Sequence, residues 1–127
     1  MGEPARAIPL LMQALSLHPK GNEALFIYLG GAYLELGDND AAIEWLLKSV
    51  DGNAHMVDPY WGLAMAYSNK GDRPNAARYV AEYQRLASEQ GLKVGIQVYA
   101  PRPGSPPAAV RYYNERWLPE WKKAGLP

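Results

Sequence analysis

The chain has 127 residues, the length of a single domain, and nearly half of them are apolar, which is enough to form a buried core. Its 13 basic and 13 acidic residues give a formal charge of zero, which argues against nucleic acid or an acidic membrane as the main partner. It contains no cysteine, which excludes disulfides and thiolate chemistry, and no apolar run near the roughly 20 residues of a membrane span. We therefore expect a cytoplasmic domain that binds neither nucleic acid nor membrane.

Apolar residues recur at helical spacing through the first 90 residues, and turn residues interrupt them at regular intervals. The pairs Gly37–Asp38 and Gly71–Asp72 each combine a residue that ends a helix with one that begins the next. The pattern predicts helices over about 3–18, 22–36, 39–51, 57–70 and 73–90.

The sequence matches itself at an offset of 34 residues, which indicates stacked repeats. Aromatic, leucine and small residues recur together, as expected where large and small side chains interlock between packed helices. The matched pairs are Phe26 with Tyr60, Leu29 with Leu63, Gly30 with Ala64, Tyr33 with Tyr67, and Ala42 with Ala76.

This pattern resembles the tetratricopeptide repeat. The resemblance implies an all-α fold in which antiparallel helix pairs stack as a right-handed solenoid, with Gly30 and Ala64 where the helices of one pair approach closely. Residues 1–90 would form the repeats, with full repeats at about 23–56 and 57–90.

An earlier half-repeat precedes them. At an offset of 35, Gly37 falls on Gly2, Ala42 on Ala7 and Leu46 on Leu11, so residues 2–20 read as a second helix that Pro19 closes. The apolar face of a half-repeat needs a cap. We therefore expect this chain to be a fragment of a longer protein.

The repeat stops near residue 91. Residues 91–105 form a predicted linker, although 91–100 could be a short helix or an extended run. Residues 106–127 are predicted to form a C-terminal capping helix, because Val110, Tyr113, Trp117 and Trp121 lie on one helical face. Pro119 should kink or restart this helix.

No catalytic, cofactor-binding or metal-binding residue is predicted. His18 and His55 are the only histidines, and each lies near the end of a second helix, where a histidine is commonly solvated. The sequence has no phosphate-binding loop and no nucleophile or metal motif. Enzyme activity in this chain is therefore not expected.

The resemblance does imply a binding surface, because the first helix of each tetratricopeptide repeat lines a concave groove. Gly31 belongs to this surface, since a glycine facing the groove lets a ligand approach the backbone. The lysine and asparagine that hold acidic chaperone tails in some family members are replaced by Ile27 and Gly31, so no such tail is expected. The groove positions that carry over are Ala24, Ile27, Gly31, Leu34 and Glu35, and Asp58, Trp61, Met65, Ser68 and Asn69.

The apolar side chains among these positions would form a patch that a monomer should not leave open. Three occupants are possible: the chain's own segment Tyr112 to Trp121, a helix or extended peptide of a partner protein, or a second copy of the chain.

The stretches "AIPLLMQALSLHP", "LGGAYLELGDNDAAIEWLLKSV" and "ERWLPEWKKAGLP" are similar to the C-terminal repeat region of bacterial class III adenylate or guanylate cyclases. This resemblance implies a regulatory or partner-binding appendage of a signalling enzyme. Related repeat tails also occur on transcriptional regulators.

Overall fold

The computed structural model describes residues 4–18, 22–92 and 100–127, and within these ranges every regular element is helical. Gly2, the helix end expected at Pro19 and most of the segment 91–100 lie outside them. Five helices form the repeat region: α1 (Pro4–Leu17), α2 (Glu23–Leu36), α3 (Asn39–Gly52), α4 (Asp58–Asn69) and α5 (Arg73–Glu89). Helix α2 packs on α3 and α4 on α5, while α3 and α4 join the two pairs. The predicted all-α repeat fold is confirmed.

The same turn joins the two helices of each pair. Gly37 and Gly71 adopt φ angles of 82° and 78°, a left-handed conformation that glycine reaches without steric strain. The next residues, Asp38 and Asp72, cap the second helices: Oδ1 of each accepts a hydrogen bond from the backbone N–H three residues on, at 3.1 and 3.2 Å. The repeat in the sequence is thus a repeat in backbone geometry.

Leu46 of α3 lies where three helices meet. A Cβ atom placed on Gly30 of α2 would lie 2.5 Å from Leu46 Cγ, and one placed on Gly62 of α4 would lie 2.8 Å from Leu46 Cδ1. Ala42 and Ala64 are fully buried close by. Small residues on the first helices therefore let α3 approach both α2 and α4.

Most of the core lies in the second pair and the segment after it. Tyr67 stacks on Tyr79 with ring centroids 5.6 Å apart, and Tyr60 packs against the same ring at 6.2 Å. Tyr83 and Trp121 are almost fully buried in the same cluster. Helix α1, in contrast, has no buried residue.

Residues 107–127, called here the C-terminal segment, are helical almost without a break from Pro107 to Lys123. It consists of α6 (Pro107–Tyr112), a π-helical turn (Tyr113–Trp117) and α7 (Leu118–Lys123). Pro119 lies in the first turn of α7, directly after the π-helical turn. The regular α-helical pattern restarts next to the proline, and the π-helical turn before it changes the direction of the side chains that follow.

Candidate functional site

The first helices α2 and α4 lie side by side, and the C-terminal segment packs on the face that they form. The indole ring of Trp61 on α4 stacks on Trp121 with centroids 5.7 Å apart and meets the edge of Trp117 at 5.3 Å. Trp121 also contacts Tyr83 of α5 at 6.1 Å. The chain therefore covers the α4 part of its own groove.

Arg116 ties the same segment to the first repeat. Its guanidinium donates a hydrogen bond of 3.2 Å to the main-chain oxygen of Leu34, in the last turn of α2. A cation is favourable there, because the C-terminal end of a helix carries partial negative charge. The guanidinium also forms a salt bridge with Glu120, with 3.5 Å between Arg116 Nε and Glu120 Oε1.

The part of the groove next to α1 stays open. It forms a cleft of about 860 Å³ whose walls are mostly apolar, called here the open cleft. Helix α1 forms one wall, α2 the floor, and the start of α4 and the C-terminal segment the other wall. The lining residues are Pro4, Ala7, Leu10, Leu11, Ile27, Tyr28, Gly31, Ala32, Glu35, Asp58, Trp61 and Trp117.

Five of the predicted groove residues come together in this cleft, namely Ile27, Gly31, Glu35, Asp58 and Trp61. A Cβ atom on Gly31 would meet nothing within 4 Å, so this glycine faces open space.

Other predicted groove residues do not line the open cleft. Leu34 and Met65 are buried in the core cluster that includes Tyr113 and Trp121 of the C-terminal segment, so they are not available to a partner while that segment is docked. Asn69 lines a separate, smaller cleft of about 420 Å³ at the α4–α5 turn, together with Ser68. Ala24 is exposed and lies outside both clefts.

Sequence reasoning missed the contribution of α1 to the site. The apolar side chains of Leu10 and Leu11 form a wall of the cleft, opposite Tyr28 of α2. The signal was present in the repeat, because Leu11 aligns with the core residue Leu46.

Glu35 and Tyr112 are the titratable groups with shifted pKa values near this site. Burial raises the pKa of the Glu35 carboxyl, while the positive charge of Arg116 acts in the opposite direction. Burial also raises the pKa of the Tyr112 hydroxyl to about 12, and the charge of Glu35 adds to that increase. A carboxylate in a mostly apolar cleft favours a ligand that brings a hydrogen-bond donor or a cation.

Glu35→Gln should raise stability at neutral pH and leave it almost unchanged in acid. Because the pKa of Glu35 is higher in the folded state, its contribution to stability falls as the pH rises from about 4.5 through the folded-state value, by at most about 1.4 kcal/mol per pH unit. Urea unfolding of both proteins between pH 4 and 8 measures the difference. A difference that stays constant over that range would contradict the assignment.

No three acidic or histidine side chains come together as metal ligands within residues 4–18, 22–92 and 100–127. In the same part of the chain, no helix combines the length and the apolar character that crossing a bilayer requires.

Comparison with known proteins agrees with the repeat geometry. A family model described as "Tetratricopeptide repeat" matches residues 1–51, which covers α1, α2 and most of α3. Among curated proteins, none matches the chain. Tetratricopeptide repeats are non-catalytic protein-interaction modules. With its matching N-terminal part, its 34-residue repeat and its paired helices, this chain contains a tetratricopeptide repeat domain.

Proposed function

We propose that this domain binds a segment of a partner protein in the open cleft between α1, α2 and α4. The observation that carries the proposal is the cleft itself: about 860 Å³ of mostly apolar space that the C-terminal segment leaves uncovered. Exposed apolar clefts of this kind mark interaction sites, and stacked helix pairs commonly use their concave surfaces for binding.

The lining residues suggest a division of roles. Ile27 and Trp61 supply apolar contact area, and Trp61 is already held by two other tryptophan rings. Gly31 leaves room for a ligand to reach the backbone of α2. Glu35 and Asp58 supply carboxylates that can receive a lysine, an arginine or an amide N–H.

A peptide display library selected against the purified chain tests this proposal. We expect enriched peptides to bind the wild-type chain and to lose at least about tenfold in affinity with Gly31→Arg, which fills the cleft. The substitution should not harm folding, because a Cβ atom at position 31 meets nothing within 4 Å and glycine is a poor helix former. Gln84→Arg, at an exposed position of α5, is the matched control and should bind as the wild type does.

Two results would contradict the proposal: a library that yields no specific peptide, or peptides that bind Gly31→Arg as well as the wild type. The alternative function, homo-oligomerisation through the same cleft, predicts a solution mass of two or more chains. Light scattering of the wild type and of Gly31→Arg separates these possibilities.

We further propose that the domain is a regulatory part of a larger bacterial signalling protein of the nucleotide cyclase type. The support is the resemblance of three stretches of the chain to such proteins. In this fold the last of these stretches, residues 115–127, has a packing role, since Trp117 and Trp121 dock on Trp61. Sequencing the native gene upstream tests the proposal: an open frame that encodes a cyclase domain supports it, and one that encodes a DNA-binding domain favours the alternative of a regulator tail.

A further inference from the structure

The smaller cleft lies between the α4–α5 turn and the end of α7, and it is called here the turn cleft. Two cationic side chains line it, Arg73 of α5 and Lys123 of α7, called here the cationic pair. No carboxylate lies among its lining residues in the described part of the chain. The open cleft has the opposite character, since Glu35 and Asp58 line it. The chain as a whole has a formal charge of zero, so the positive excess is a local property of the turn cleft.

The charged residues on either side of Gly71 do not neutralise the cationic pair, because they have partners of their own. Lys70 forms an ion pair with Asp40 of α3. The Asp72 carboxylate accepts hydrogen bonds from the backbone N–H and the side-chain amide of Asn75, at 3.2 and 2.7 Å. Within residues 4–18, 22–92 and 100–127, neither member of the cationic pair forms an ion pair. Two like charges on one cleft repel each other, and an anion between them would turn this repulsion into attraction.

Neutral hydrogen-bond donors complete the lining. Ser68 is half-buried at the cleft and contributes a hydroxyl group. Asn69 donates one amide N–H to Asn39 Oδ1 at 3.3 Å, and the same nitrogen carries a second hydrogen. Ala76 and Ala77 form the α5 wall with small side chains, which leave space for a ligand. The turn cleft therefore combines two cations with uncharged donors in a volume of about 420 Å³.

This set of donors fits a phosphate group better than a carboxylate. A guanidinium presents parallel N–H donors that bind two oxygens of a phosphate at once, and a lysine ammonium binds a further oxygen as a point charge. A phosphate monoester carries close to two negative charges at neutral pH, which matches the cationic pair. A carboxylate offers one charge and two oxygens, so it would leave part of the lining without a partner.

We propose that the turn cleft binds the phosphate group of a small phosphate monoester. Its volume lies near the lower end of the range for small-molecule sites, which favours a compact ester. The turn cleft and the open cleft share no lining residue, so this site is independent of the proposed peptide site.

The position of the site has a consequence for the C-terminal segment. Arg73 belongs to the second repeat and Lys123 to the end of that segment, so a bound phosphate joins the two. The same segment covers α4 through the stacking of Trp121 on Trp61. Phosphate binding should therefore stabilise the docked segment, because a ligand that binds only the docked arrangement shifts the equilibrium toward it.

Isothermal titration of the full chain with glycerol 3-phosphate tests the site, with sodium chloride added to hold the ionic strength constant. We expect saturable binding that inorganic phosphate competes away. Arg73→Gln and Lys123→Gln should each weaken binding at least about tenfold. Lys122→Gln is the matched control: it removes the same charge at an exposed position outside the cleft, and it should bind as the wild type does. All three side chains are exposed, so circular dichroism of the variants should match the wild type.

Thermal unfolding and hydrogen exchange give a second measurement that a purely structural role would not affect. Inorganic phosphate should raise the melting temperature of the wild type and slow amide exchange in residues 107–127. Without phosphate, Lys123→Gln should be at least as stable as the wild type, because the repulsion within the cationic pair is gone. Added phosphate should leave the stability of this variant unchanged.

Four results would overturn the inference. Glycerol 3-phosphate could fail to bind saturably, or Lys122→Gln could weaken binding as much as Lys123→Gln, which would indicate general charge attraction. Acetate could bind as tightly as the phosphate ester, which would indicate a carboxylate site. A blocked glycine–phosphoserine–glycine tripeptide could bind more tightly than glycerol 3-phosphate, which would assign the cleft to a phosphorylated protein. Gly31→Arg should leave phosphate binding unchanged, so this site and the peptide site can fail separately.

Discussion

Gly30→Ala should lower the free energy of unfolding by about 1–3 kcal/mol, the range for overpacking a close contact. The added Cβ would lie 2.5 Å from Leu46 Cγ and 3.3 Å from the main-chain oxygen of Ala42. Leu46 cannot simply rotate away, because Gly62 of α4 lies close to another part of the same side chain. Urea denaturation followed by circular dichroism measures the loss.

Gly31→Ala is the matched control one residue away, and it should have the opposite sign. A Cβ atom there meets nothing within 4 Å, so the substitution adds no contact strain and removes a flexible residue from a helix. We expect an increase in stability of about 0.5–1 kcal/mol. Equal effects of the two substitutions would mean that Gly30 is not the point of closest approach between α2 and α3.

The two glycines show what a repeat pattern can reveal. The match between Gly30 and Ala64 predicted a close helix contact, since a small residue recurred at the same place in each pair, and the geometry agrees with that prediction. The turns at Gly37 and Gly71 were predicted for the same reason, because left-handed backbone and an aspartate cap each favour a particular residue type. Local chemistry and repetition were sufficient for both.

The site was only partly predictable, because it depends on contacts between elements far apart in the chain. The groove positions of the tetratricopeptide repeat placed Leu34 and Met65 in the groove. Those positions contain no information on which segment of the chain would cover them. The aromatic face of the C-terminal segment was visible in the sequence. Its packing against Trp61 depends on the tertiary structure and could not be read from the sequence. Gly62 was also missed, since it has no small counterpart at an offset of 34 residues, where Tyr28 lies.

The docking of the C-terminal segment leads to the second large effect. Trp121→Ala should lower the free energy of unfolding by about 3–5 kcal/mol. The side chain is 1% exposed and touches the rings of Trp61, Tyr83 and Trp117. Its Nε1 also donates a hydrogen bond of 2.9 Å to the main-chain oxygen of Pro127. Thermal and urea unfolding measure the loss, and Val110→Ala, an exposed position in the same segment, should cost less than about 1 kcal/mol.

Loss of Trp121 should also change the surface of the folded protein. If the C-terminal segment is held mainly by this ring, Trp121→Ala exposes Trp61 and the apolar face of α4, and binding of a hydrophobic dye increases under conditions where the helices remain folded. A small stability change with unaltered dye binding would mean that the segment does not depend on this contact.

A double-mutant cycle separates the stacking contact from the general cost of a cavity. If Trp61 and Trp121 stabilise each other, Trp61→Ala and Trp121→Ala together should cost less than the sum of the single changes, by about 0.5–1.5 kcal/mol or more. The same cycle with Tyr83 in place of Trp61 tests the contact to α5. Coupling to Trp61 that exceeds coupling to Tyr83 would establish that the segment is anchored in the groove on α4, next to the open cleft.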